Sequence, residues 1–207
     1  MTDVLEHMLE GFVSALDKPN RLQIEEIKRS DDILDRLNAA IKAYLVALDP
    51  ASLADEDVRR VNEILTFVTN IEQAGDVVDR NLMGLASKSL KRGLSLSKEG
   101  KSELLGLAER LVANARQAGS LFMTGDMRAA RLLANEKLIF RDREADATAT
   151  HFARLRSGRV ETAETSALHL DLLRDLKQVN SHLVAAAAYP VLERHSGLLP
   201  HRLRNEE

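Results

Sequence analysis

The sequence predicts an all-α fold, a tandem pair of antiparallel three-helix bundles, on three observations. Aromatic side chains make up 3% of the 207 residues (five Phe, two Tyr, no Trp) while 44% of the chain is apolar. A core must therefore be built from Leu, Ile, Val and Ala, without the aromatic and β-branched enrichment of sheets. No proline stands between Pro50 and Pro190, which leaves the middle of the chain free for long uninterrupted helices. The breakers that do occur divide the chain into three helical stretches on either side of Lys91–Ser97.

Taken in order, the first helix is predicted from about Thr2 to Leu16 and is separated by Asp17-Lys-Pro-Asn20 from the second, about Arg21 to Leu48. Asp49-Pro-Ala-Ser52 reads as a turn, with Ser52 as N-cap and Asp55 in the acidic first turn of a third helix that continues to about Ser87. The stretch Lys91–Ser97 (KRGLSLS) is the connector between halves. The fourth helix begins near Ser97 and ends at Thr124-Gly-Asp126, which offers a C-terminal glycine and the next N-cap. The fifth runs to about Arg156 and closes at Ser157-Gly158; the sixth runs from about Val160 to Ala188 and is stopped by Pro190. Short loops make consecutive helices antiparallel. The predicted organisation is a first bundle over 1–90, a connector over 91–97, a second bundle over 98–195 and a flexible tail over 196–207.

Composition also removes classes of function. Without cysteine there is no disulfide framework, no Cys-ligated metal and no thiol nucleophile. A net charge of -3 and a pI near 6.1 give no electrostatic footprint for nucleic acid, and seven scattered aromatics give no base-stacking platform. No run of about 18 apolar residues occurs and the first residues lack the basic-then-apolar layout of a signal peptide, so what is written here is not expected to span a membrane by itself. The six histidines form no HExxH and no glutamate is followed three residues later by histidine, which disfavours a di-iron bundle. His169 and His182 read as packed or half-exposed imidazoles, and no nucleotide-loop or nucleophile-elbow signature is present. No catalytic constellation is legible, and the chain is expected not to be an enzyme.

The departures from apolar periodicity are carboxylates. In the second helix Ile27, Leu34, Ile41 and Leu48 form one apolar line, while its neighbour reads Ile24, Asp31, Asn38, Leu45, with Asp35 one turn beyond Asp31. In the third helix Glu72, Asp76 and Asp79 run along the edge of the lines Ile64-Ile71-Val78-Leu85 and Val61-Val68-Gly75-Leu82. Gly75 in mid-helix costs about 1 kcal/mol relative to alanine, which points to a close approach there. Antiparallel packing could set Asp31 and Asp35 opposite Glu72 and Asp76, four carboxylates able to hold a hard cation. The same acids also read as a solvated face neutralised by Arg29, Arg36 and Arg80. In the second half, Asp142, Glu144 and Asp146 on the fifth helix and Asp171 and Asp175 on the sixth echo the spacing. There Arg141, Arg143 and Arg174 are local counter-ions.

The segment Thr69-Asn-Ile-Glu-Gln-Ala-Gly-Asp-Val-Val-Asp-Arg-Asn81 resembles the glutamate, three residues, aspartate motif that PhoU-like proteins carry on a long helix. Ser89-Leu-Lys-Arg-Gly-Leu-Ser95 and the stretch from Glu164 to His182 look like the cytosolic C-terminal PhoU-like domain of bacterial sodium/phosphate cotransporters. The resemblance covers about Val4 to Glu193. It implies a two-bundle regulator of phosphate transport at the cytoplasmic face of the inner membrane, with a divalent or trivalent metal ion (Mg, Mn, Fe, Zn or Ca) on acidic helix faces. The implied partners are a membrane transporter domain, upstream in the same natural chain or a separate subunit, and phosphate, with a homodimer left open. Its metal motif falls on Glu72 and Asp76, with Asp31 and Asp35 on the partner helix. Laid on the second half, the motif meets Lys177 in place of the glutamate and Ser181 in place of the aspartate, so a second site would need Asp142, Glu144, Asp146, Asp171 and Asp175 in another arrangement. A free-standing PhoU-like adaptor and, at greater distance, a carboxylate-bridged metalloenzyme are the alternatives.

Overall fold

A computed structural model describes residues 1–156, 165–195, 198–199 and 202–203. Helix α1 (Thr2–Asp17) buries Leu5, Met8, Leu9, Phe12 and Ala15, the spacing of one helical face. Asn20 then caps α2 (Arg21–Val46), its side chain accepting the Leu22 N–H at 3.0 Å. A 3-10 turn at Pro50–Ser52 leads to α3 (Asp55–Asp76). The start of α3 corrects the expected cap: the Ser52 hydroxyl donates to Asp49 O, and it is Asp57, in the first turn, that accepts the Ala54 N–H at 3.1 Å.

The third rod does not end near Ser87. It passes through a π-helical stretch, Val77–Met83, into α4 (Gly84–Arg92), so the predicted connector is helical over its first two residues and begins at Gly93, in the left-handed conformation with φ 65°. Ser97 caps α5 (Lys98–Thr124), and Gly125, also left-handed, closes it. Asp126 accepts the Ala129 N–H at 2.6 Å and so opens α6 (Met127–Arg156). Ser157-Gly158 and the expected helix start at Val160 lie outside the described residues. Helix α7 (Ser166–Leu183) continues through a second π stretch, Val184–Ala188, into α8 (Tyr189–Arg194).

The chain therefore stays helical through Pro190 instead of stopping at Ala188. The wide turn lets the Tyr189 N–H reach Val184 O, and Pro190 falls in the first turn of α8, where its missing N–H is not needed. Of the tail, Leu198–Leu199 and Arg202–Leu203 pair as a two-residue antiparallel ladder.

The architecture is all-α, with two sets of three helical rods. Their cores are continuous: one cluster runs from Leu5, Phe12 and Leu34 through Ile71 and Leu82 to Leu111, Phe140, Leu176 and Leu192. Helix α1 packs on α5 as well as on α2, and α3 with its π stretch packs on α7. Arg116 of α5 reaches Glu6 (2.6 Å) and Glu10 (2.7 Å) of α1, and Phe67 stacks on Phe122 with ring centroids 3.9 Å apart. No helix among the described residues is long and apolar enough to cross a membrane.

Candidate functional site

Where α2 crosses α3, Asp31 is drawn inside by its position on the seam between Ile24, Ile27 and Leu34, and only 7% of it remains exposed. Its Oδ1 is buried and has no hydrogen-bond partner among the described residues, nor has Asn38 Oδ1. Opposite lies Gly75. A Cβ there would overlap Leu34 Cδ1 and stand 3.2 Å from Asp31 Oδ1, so the absent side chain is what lets the carboxylate lie over the backbone of α3. The close approach expected at Gly75 is thus made by α2 itself.

Around this crossing, Asp35 is exposed, and Glu72, Asp76 and Asp79 are partly buried along α3 and its π continuation. They act on one another electrostatically. Burial, and then Asp79, Asp35 and Asp76, push the Asp31 carboxyl up to about 6. Burial followed by Asp76 and Asp35 raises Glu72, and burial raises Asp79 against the opposing pull of Lys28 and Arg80. The resident cations are Arg80, whose Nη2 is 2.8 Å from Asp76 Oδ1, and Lys28, whose Nζ is 3.7 Å from Asp79 Oδ1. Arg29 and Arg36, read from sequence as neutralising partners, are exposed, and Arg36 donates to Asp32 O.

A metal ion implied by the resemblance would meet a donor set of suitable chemistry, all carboxylate oxygen, with one oxygen of Asp31 unpartnered. The spacing is open: among the described residues no three Asp, Glu or His side chains stand close enough to enclose an ion.

The second-half acids are not gathered in this way. Asp142 pairs with Arg141 and Asp146 is exposed, on a line with Leu132 (58% exposed) and Ala153 that faces solvent. Asp171 (2.8 Å) and Asp175 (3.0 Å) both lie on Arg174. Glu144 is held at 2.8 Å by Lys177 Nζ, the residue standing where the motif has its glutamate. Here a tethered ammonium supplies the positive charge. His169 is packed (2% exposed), and half-buried His182 has its Nδ1 3.3 Å from Asn70 Oδ1.

Sequence reasoning missed a buried polar chain in the second half. Arg110 grips Glu136 through two hydrogen bonds (2.6 and 2.7 Å), Asn114 Nδ2 donates to Glu136 (3.1 Å) and to Asn180 Oδ1 (2.9 Å), and Asn180 is fully buried. The signal was available: Asn114 interrupts the seam Leu107-Leu111-Ala118-Leu121, just as Asp31 interrupts its own.

Comparison with known proteins places these features. The PhoU domain family matches residues 1–80. The protein named "Putative inorganic phosphate export protein YjbB" from Escherichia coli strain K12 is 39% identical over 192 residues, and its Salmonella typhimurium counterpart is 38% identical. These matches take in 93% of this chain but 35% of each relative, so the chain spans about a third of their length. In structure, PhoU from Pseudomonas aeruginosa superposes with a TM-score of 0.84 at 18% identity, covering 96% of this chain and 93% of that one. Residues 1–80, the helices that carry Asp31, Glu72 and Asp76, thus match the PhoU domain family, and nearly the whole length of the chain has the fold of a solved PhoU.

Proposed function

We propose that this chain is the regulatory PhoU domain of a membrane phosphate transporter of the sodium-dependent cotransporter type, acting without catalysis at the cytoplasmic face of the inner membrane. The observation that carries the reading is that almost the whole chain aligns with one third of relatives named for phosphate export. The acidic crossing of α2 and α3 is the sensing element. Asp31, Asp35, Glu72, Asp76 and Asp79 would hold a divalent or trivalent cation, which supplies positive charge when bound.

The chain's own residues explain why that charge matters. Ionised Asp31 is buried among like charges, and Arg80 and Lys28 offset the repulsion only at its edge. The contact between α2 and α3 therefore carries like-charge repulsion where Gly75 lets Asp31 and Leu34 approach the backbone of α3. Because α3 runs on through its π stretch against α7, a change at this crossing bears directly on the second half.

The test measures radiolabelled phosphate flux in cells making the full natural gene product, with and without Glu72→Gln and Asp76→Asn together. Altered flux at unchanged protein level supports the reading. Unchanged flux, together with calorimetry showing no carboxylate-dependent binding of Mg, Mn, Fe, Zn or Ca, overturns it.

A further inference from the structure

Where the start of α5 meets the end of α6 and the start of α7, two imidazoles are buried face to face. His151 of α6 and His169 of α7 are 1% and 2% exposed, with ring centroids 4.6 Å apart and planes 12° from parallel. Gly100, in the first turn of α5, closes the stack: a Cβ there would stand 3.0 Å from His169 Nδ1. Among the described residues, the charged groups facing the pair are few. From α5 comes Glu103, whose Oε2 is 3.5 Å from His169 Nε2, with Glu99 near Arg154; from α6 comes Arg154 itself. Arg154 already holds Glu103 through both oxygens, at 2.7 and 3.1 Å. From α7 the Ser166 hydroxyl lies 2.9 Å from His151 Nε2. Asp171, two residues beyond His169, is turned to the surface on Arg174.

We infer that the stacked His151–His169 pair is an acid-sensitive latch joining the start of α5, the end of α6 and the start of α7. In the neutral state the rings stack without electrostatic cost, and either Ser166 or His151 can donate across their contact. A proton on either ring puts a buried cation against the other imidazole and Arg154, while Glu103, the carboxylate that reaches His169 among the described residues, is already engaged by Arg154. Burial and the neighbouring imidazole accordingly hold His169 down at about 4, and burial and Arg154 lower His151. The sign follows: the folded state resists a proton that the opened state accepts near 6.5, so the latch is fully closed above that pH and loses stability as pH falls toward 4. The start of α5 is also tied to the end of α1 through Lys101 and Asp17 at 3.0 Å, so release at this corner frees a junction between the halves.

Hydrogen exchange on the intact chain at pH 7 and pH 5, corrected for the intrinsic rate, tests this. Amides of 99–105, 147–156 and 166–172 are expected to lose about 20-fold in protection, from the shift between 6.5 and 4, while those of α1 and α2 do not. In His151→Gln and His169→Gln variants the pH response of these amides should shrink or vanish. An NMR titration of the imidazoles in the parent protein gives a second readout that needs no variant. Imidazoles titrating near 6.5 with junction amides unmoved, or a pH response that survives both substitutions, would overturn the latch.

Discussion

Replacing Asp31 by Asn should make the protein more stable. Asp31 is 7% exposed and its carboxyl is raised from 3.8 to about 6. At pH 7 the group is ionised in both states, and holding that charge in the fold costs about 3 kcal/mol at 1.36 kcal/mol per pKa unit. Asn keeps the shape and removes the charge but brings an amide that must find a partner, an offset of about 1–2 kcal/mol. The net gain is about 1–2 kcal/mol, or close to 1 M in the midpoint of urea unfolding.

The pH dependence is diagnostic because the folded carboxyl is the more basic one. The parent is penalised progressively as pH rises from 3.8 through 6, and relieved as pH falls. At pH 4.5 the penalty shrinks to about 1 kcal/mol, so the variant's advantage should nearly disappear there. Taking the difference between variant and parent cancels the other titrating groups, His169 included. Urea titrations in EDTA at both pH values are the assay. A variant no more stable than the parent at pH 7, or an advantage of equal size at pH 4.5, would refute the view that Asp31 carries an uncompensated charge.

Two further outcomes follow from the same geometry. Gly75→Ala gains about 1 kcal/mol in helix propensity but forces a methyl into Leu34 and against Asp31 Oδ1, at about 1–3 kcal/mol, so thermal unfolding should show a net loss. Gly106→Ala in α5, with nothing within 4 Å of the new Cβ, should raise the melting temperature instead. Lys177→Glu sets a carboxylate beside Glu144 in place of the ammonium, at a screened cost of about 1 kcal/mol. If the second-half face can hold an ion, a divalent salt should recover that loss in the variant more than it stabilises the parent; equal responses would show that it cannot.

Much of the fold was legible because its signals are local. Asn20 and Ser97 cap with their own side chains, Gly93 and Gly125 stop helices in the left-handed conformation, and long proline-free stretches leave few other ways to bury Leu and Ala. Asp31 was legible for a related reason, a polar residue on an apolar seam. What sequence could not show depends on neighbours. The π stretches at Val77–Met83 and Val184–Ala188 lie where the third rod of each half packs against other rods, and α8 survives Pro190 only because the second of them widens the turn before it. Helix α6 misled for a packing reason: Leu133, Ala134, Phe140 and Ala147 face the core while Leu132, one residue round, faces solvent with Asp146, so the apolar line that runs through Asp146 marks the wrong face.

The uninterrupted core bears on what the connector is for. Gly93–Ser97 is the stretch of backbone between α4 and α5, yet α1 and α5 are held together by buried Leu and Ala side chains and by the Arg116 clamp on Glu6 and Glu10. Covalent continuity there adds little to an association that side chains already secure. A chain cut between Gly93 and Ser97 would remain assembled as two complementary fragments, and the halves, made separately, would behave as obligate partners, each exposing to water the apolar surface meant for the other.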